Sequence, residues 1–239
     1  MALGLGINTQ PLTTPLKWAP TDAANVDRLE LWLKNDIGLS VVGGTVALWL
    51  DSSGNENNVS SPNVGDHPTY DDGGLLFDGD SQYMDLTDTI TIARNTSFTL
   101  GIVIQQASVS NNSILTDGNN ELISIANNSK IRFSGNDHSN VLSNLTTDDV
   151  TFDRNLMALL IIRDGADRIR VYKNGTEIAF NLSSTNIAND RGFDLTNLAS
   201  RNDADRFFHG SIYELFFFSE ALNGKIPKAM EYLTYKFNI

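Results

Sequence analysis

The sequence predicts an all-β sandwich in one domain, preceded by an extended arm and closed by a single helix. Three observations carry that prediction. Short apolar runs with two-residue alternation recur from residue 29 to residue 218, separated by Gly, Asn and Asp clusters. The run FFHGSIYELFFFS (207–219) is apolar on both of its faces, as expected of a strand covered on two sides. After it, Ile226, Met230, Leu233 and Phe237 form one helical stripe, with Pro227 in the first turn where its missing N–H is harmless.

Residues 1–20 hold three prolines and two glycines without usable periodicity, and read as an extended arm. One helical turn is predicted in PTDAANVD, with Thr21 or Asp22 as its cap. LELWL (29–33) and TVALWL (45–50) alternate as strands. DSSGNENN, from Asp51, is a turn-forming cluster that cannot sit inside a ladder, and a polar loop runs on to Asp72. Strands are predicted again at 74–79, 82–86, 97–105, 121–126, 130–134, 156–164 and 168–180. Within the last of these, Asn174-Gly175 signals a type I′ turn, since both central residues need positive φ. Residues 181–205 are polar and irregular, a candidate functional loop. In the final strand alternation puts Ile212, Glu214, Phe216 and Phe218 on one face, and Tyr213, Leu215 and Phe217 on the other. The domain is therefore expected to span 21–239, with 1–20 as the arm.

Taken together and in order, LELWLKNDIGL, VALWLDSSGNENN, GGLLFDGDSQYMDLTDTITI, SFTLGIVIQ, RIRVYKNGTEIA and the C-terminal FHGSIYELFFFSEALNGKIPKAMEYLTYKF resemble laminin-G-like, concanavalin A-like jelly-roll domains. The closing pattern of Gly210, Ile212, Glu214, Leu215, Leu222, Tyr232, Leu233 and Lys236 is similar to the usual C-terminus of that family. The resemblance covers residues 26–239 and implies a concanavalin A-like jelly-roll β-sandwich. The form with a short arm and LWLDSSGNENN looks most like virion structural proteins of tailed bacteriophages, marine cyanophages among them. A virion location, with capsid or tail proteins as partners, is what that resemblance implies. The superfold itself hosts lectins, glycanases and scaffolds, so fold implies no activity.

Composition narrows the function. The 239 residues carry a formal net charge of -12, with a pI of about 4.5. Such a surface repels phosphate backbones and anionic membranes, which argues against nucleic-acid and membrane partners. Without cysteine there is no disulfide and no thiolate metal site. The first residues lack the basic segment and long apolar run of a secretory signal. Family glycanases need two carboxylates spaced across the scissile bond, whereas Glu214 stands alone before LFFF, so no catalytic residue is assigned and no enzyme is expected. His67, His138 and His209 fall in separate segments without zinc-ligand spacing.

Three sets of residues remain as binding candidates. Calcium is the cofactor that the oxygen-rich turns could hold, with Asp51, Asn55, Asp71 and Asp72 as ligands; the competing reading is that these side chains bond their own backbone. A glycan would need an aromatic platform among polar groups, for which Tyr70, Tyr83 and His138 are candidates. In the arm, Leu3, Leu5, Ile7, Leu12, Leu16 and Trp18 need burial, either on their own sandwich or on a protein partner, including a sister copy. The function expected from these readings is a non-enzymatic phage virion protein that decorates or attaches to capsid or tail, with weak surface adhesion. A carbohydrate-binding, lectin-like module is the alternative.

Overall fold

In the computed structural model the described residues are 18–22, 26–93, 96–108, 112–116, 121–126, 130–135, 143–146, 154–165, 168–178, 193–201 and 206–239. In chain order the strands are β1 (Leu29–Leu33), β2 (Leu39–Val42), β3 (Thr45–Trp49), β4 (Val59–Ser60), β5 (Thr69–Asp71), β6 (Gly74–Asp78), β7 (Met84–Ile92) and β8 (Phe98–Gln106). They continue with β9 (Asn112–Thr116), β10 (Glu121–Ala126), β11 (Lys130–Gly135), β12 (Ser143–Thr146), β13 (Leu156–Asp164), β14 (Arg168–Lys173), β15 (Thr176–Ile178), β16 (Phe193–Leu198) and β17 (His209–Phe218). Helix α1 (Ile226–Phe237) ends the chain.

All pairings are antiparallel and sort into two layers. In one, β8 lies between β13 and β17; β13 continues into β14 and β15, while the far edge of β17 takes β6 along its first half and β1 along its second. In the other, β16 lies between β7 and β9, and the ladder extends through β10, β11 and β12 on one side and β4, β3 and β2 on the other. Among the described residues, the pair of Thr45 with Thr69 joins the layers through β3 and β5, and an isolated bridge links Leu33 of β1 to Asp51 just after β3.

The main core fills the space between the layers. Leu100, Ile102, Ile104, Leu159, Ile161, Leu215 and Phe217 come from the first layer, and meet Trp49, Met84, Ile90, Leu115, Ile123, Ile125 and Leu195 from the second. A second core lies on the outer face of the first layer, where Val103, Ala158, Leu160, Ile162, Phe216 and Phe218 are covered by α1 and by Trp18. Two cores explain why β8, β13 and β17 are continuously apolar: each buries both faces, at roughly 1.5–3 kcal/mol per large side chain. Gly101 belongs to this arrangement. A Cβ there would lie 2.1 Å from Cζ of Phe216, so the ring occupies the space that a side chain would take.

The predicted strands are present, and so is the helix with Met230 and Leu233 buried; its stripe also takes in Ala229 and Tyr232. Asn174 and Gly175 have φ of 47° and 85°, the I′ turn joining β14 to β15. Three features depart from expectation. First, β17 carries a bulge between Ile212 and Glu214, so Ile212 shares the inter-layer core with Leu215 and Phe217, whereas Glu214 joins Phe216 and Phe218 under the helix. One extra residue resets the alternation, which a strict two-residue period cannot show. Second, residues 193–198 of the presumed irregular segment form β16, central in its layer and with Leu195 and Leu198 fully buried. Third, the presumed loop running to Asp72 contains the short strands β4 and β5. Trp18, for its part, follows the first of the two readings of the arm, packing on its own sandwich. It is 5 % exposed and packs edge-on against Phe216 and Tyr232, at 6.0 and 5.8 Å between ring centres. Among the described residues, no helix is long and apolar enough to cross a membrane.

Candidate functional site

Glu214, the lone carboxylate of the last strand, is fully buried beneath α1. Its Oε1 accepts the indole N–H of Trp32 at 2.9 Å and the hydroxyl of Tyr232; its Oε2 pairs with the Lys236 ammonium and accepts the Asn35 amide at 3.4 Å. Burial, and then the negative charge of Glu214, push the Tyr232 hydroxyl far above its ordinary pKa. The carboxylate thus ties β1, β17 and α1 together, with both oxygens engaged.

Where α1 stops, the described residues leave part of the outer face of the first layer uncovered. A cleft of about 420 Å³ opens there, among Asn35 and Asp36 of the β1–β2 turn, Tyr70, Asp72 and Gly73 around the β5–β6 turn, Gln105 of β8, Tyr213 of β17 and Phe237 of α1. Local geometry fixes each wall. The β1–β2 turn rests on buried Trp49, whose indole N–H is shared by the carbonyls of Lys34 and Ile37 at 3.2 and 3.1 Å. Asp72 and Gly73, with φ of 43° and 87°, form the two-residue hairpin turn. The two turns are joined by the Asp36 amide donating to the Gly73 carbonyl at 2.7 Å. They approach so closely that a Cβ on Gly73 would lie 2.6 Å from the Asn35 amide nitrogen.

The bulge delivers the remaining aromatic wall. It turns Tyr213 outward, where its ring meets Phe237 at 6.2 Å and its hydroxyl donates to Asp71 Oδ2 at 2.8 Å. Burial, reinforced by the bond to Asp71, raises the Tyr213 hydroxyl to about 12. Tyr70, 38 % exposed, donates to Asp36 Oδ1 at 3.2 Å, and its hydroxyl is likewise raised, by desolvation first and then by Asp36. The cleft therefore presents two phenol rings, two carboxylates and two amide side chains.

Of the glycan candidates, Tyr70 lines this cleft. Tyr83 does not: it is 8 % exposed and packs against Phe207, so its ring offers no platform to a ligand. His138 lies outside the described residues, as do Leu3, Leu5, Ile7, Leu12 and Leu16. Trp18, proposed with them as a partner-binding residue, is committed to the protein's own core. The calcium candidates are divided. Asp51 latches its loop: Oδ1 accepts the amides of Trp32 and Ser53, both at 2.8 Å, and Oδ2 accepts the Ser53 hydroxyl and the Asn57 amide at 2.6 and 3.1 Å. Asn55 donates to the Leu29 carbonyl at 2.6 Å, and Asn57 to that of Glu30 at 2.7 Å. These side chains bond backbone, as turn residues do. Asp71 and Asp72 sit at the β5–β6 hairpin, and no group of three or more His, Asp or Glu suited to a metal occurs among the described residues.

The sequence does not mark Asp36, Gln105, Tyr213 or Phe237 as site residues. Asp36 and Gln105 carry no motif. Alternation groups Tyr213 with Leu215 and Phe217 on one face of the strand, and the bulge that separates it from them leaves no mark in composition.

Residues 78–225 match the laminin-G family described as the concanavalin A-like lectin/glucanases superfamily. Comparison with curated proteins finds no match. Among solved structures, the binding domain of Paraclostridial Mosquitocidal Protein 1 is similar in fold, with TM-score 0.62 and 15% identity over 89% of this chain and 53% of that one. The ligand binding domain of botulinum neurotoxin serotype D, solved with N-acetylneuraminic acid, gives TM-score 0.58 and 16% identity over 90% of this chain and 52% of that one. The Trypanosoma rangeli sialidase gives TM-score 0.58 and 13% identity over 88% and 33%. The chain thus spans about half of each toxin domain and a third of the sialidase, and at these identities the likeness is one of fold. By the family match, which covers most of its length, this chain belongs to the concanavalin A-like lectin/glucanase superfamily.

Proposed function

We propose that the protein is a non-enzymatic carbohydrate-binding domain whose site is the cleft between the β1–β2 turn, the β5–β6 turn and the end of α1. The observation that carries this reading is the set of groups there. The exposed ring of Tyr70 and the outward ring of Tyr213 offer flat apolar surface to the C–H face of a sugar. Asp36, Asp72 and Gln105 offer the acceptors and donors that a rim of hydroxyls requires. Glycoside hydrolysis needs a second carboxylate about 5–9.5 Å from the first. Glu214 is sealed under the helix with both oxygens engaged, which favours binding over hydrolysis. Membership of a lectin superfamily, and a fold neighbour solved with N-acetylneuraminic acid, also support a lectin-like role over a bare scaffold.

A glycan array followed by calorimetry tests the reading. Binding of one or more oligosaccharides, weakened at least tenfold by Tyr70→Ala or Asp36→Ala in folded protein, would support it. Silence across the array, or binding indifferent to both substitutions, would overturn it.

The resemblance to tailed-phage structural proteins supports a compatible second reading about where the domain is carried. On that reading it is displayed on a virion, held to capsid or tail proteins by Leu3, Leu5, Ile7, Leu12 and Leu16, and adheres to surface glycan through the cleft.

A further inference from the structure

We infer that a second depression beside the cleft is a contiguous subsite for an acidic sugar unit. The ligand is then an oligosaccharide of at least two units, one of which bears a carboxylate. This inference rests on the carbohydrate reading of the cleft.

The second depression, about 330 Å³, is lined by Asp71, Leu76, Gln105, Arg154, Gly210 and Ser211 among others. It shares Gln105 with the cleft, and the hydrogen bond from Tyr213 to Asp71 forms the partition between them. One ring seated in the cleft would leave its neighbour in the chain beside that partition. The two halves differ in charge. In the cleft, Asp36 and Asp72 supply carboxylates, and the Lys236 ammonium is already neutralised by Glu214. A hydroxyl-bearing, uncharged unit suits that half.

In the second depression the charges are reversed in availability. Asp71 lies on its wall with Oδ2 occupied, accepting the hydroxyls of both Ser211 and Tyr213. Arg154 is exposed, and among the described residues its guanidinium has neither a hydrogen bond nor an ion pair. Its backbone is held in place, because its carbonyl accepts the Gln105 amide at 3.0 Å. An unpaired guanidinium on a fixed backbone is suited to a two-pronged bond with a carboxylate. Leu76, 37 % exposed, supplies apolar surface beside it.

The experiment is calorimetry of the full chain with lactose, sialyllactose and digalacturonate. Expected is tighter binding of at least one of the two acidic probes than of lactose, by roughly fivefold, the value of one partly exposed ion pair. Arg154→Gln should erase that margin without changing lactose affinity, and Arg154→Lys should restore part of it. Tyr70→Ala should weaken every probe that binds. Lactose binding without any acidic preference, or an acidic preference that survives Arg154→Gln, overturns the subsite and leaves the cleft standing. No binding of any probe overturns both. Circular dichroism of each variant separates these outcomes from misfolding.

Discussion

The carboxylate of Glu214 accepts the indole N–H of Trp32 at 2.9 Å across 182 residues of chain, in a fully buried position. That bond, with Tyr232 and Lys236 on the same carboxylate, makes the terminal helix part of the sandwich rather than an appendage. Among the described residues it also leaves part of the outer face of the first layer open just beyond the helix, where the cleft lies.

Removing one partner of this network should cost more than removing two. Lys236→Met strands a buried carboxylate and should destabilise by roughly 3 kcal/mol, whereas Glu214→Leu combined with Lys236→Met should cost less than that single change. Urea denaturation of both variants measures the difference. A loss below about 0.5 kcal/mol for Lys236→Met would show that Glu214 does not depend on the Lys236 ammonium.

Gly101 should tolerate no side chain while Phe216 lies over it. Gly101→Ala should cost about 1–3 kcal/mol by overpacking. In the background of Phe216→Leu, which vacates the ring's space, the same change should cost distinctly less. Equal costs in both backgrounds would rule out the contact as the cause.

Alkaline pH should weaken the fold through its tyrosines. The Tyr213 hydroxyl ionises at about 12 in the folded protein, against about 10 in an unfolded chain, and the Tyr232 hydroxyl is raised further. The unfolded state therefore loses protons first. The contribution is intact below pH 10 and is lost as pH climbs from 10 through 12. Phenolate absorbance on the folded protein should show Tyr213 and Tyr232 among its late-titrating tyrosines, with Tyr70 and Tyr172 also shifted upward, and Tyr213→Phe should remove one late step. Titration of all six tyrosines together near pH 10 would contradict these environments.

The arm should divide at Trp18. Trp18→Ala opens a cavity between Phe216 and Tyr232 and should cost about 3–5 kcal/mol. Deleting residues 1–16 should leave thermal stability within a few degrees of the full chain while abolishing particle incorporation or self-association. Undiminished assembly of the truncated protein would remove the arm as the attachment.

The scaffold was more legible in the sequence than the site, for a physical reason. Apolar periodicity reports burial, so β8, β13 and α1, which bury their stripes continuously, were readable from residue type alone. Burial also governs Trp18, yet its prolines and glycines upstream masked the fact, because its partners lie some 200 residues away, an order-of-magnitude separation no local pattern records. The cleft depends on events without compositional trace. Tyr213 faces outward because of a one-residue bulge, and Asp36 meets Gly73 because two turns from different hairpins converge. Tyr70 was legible as an aromatic among acids; Tyr83 carried the same signal and is buried.

The central claim is that the cleft receives carbohydrate, and amide chemical-shift mapping during titration with a glycan tests it most directly. With the best binder from an array, saturable shifts should concentrate at Asn35, Asp36, Asp72, Gly73 and Gln105, and Tyr70→Ala should suppress them. Saturable shifts centred elsewhere on the sandwich, or none with any glycan tried, would contradict the account.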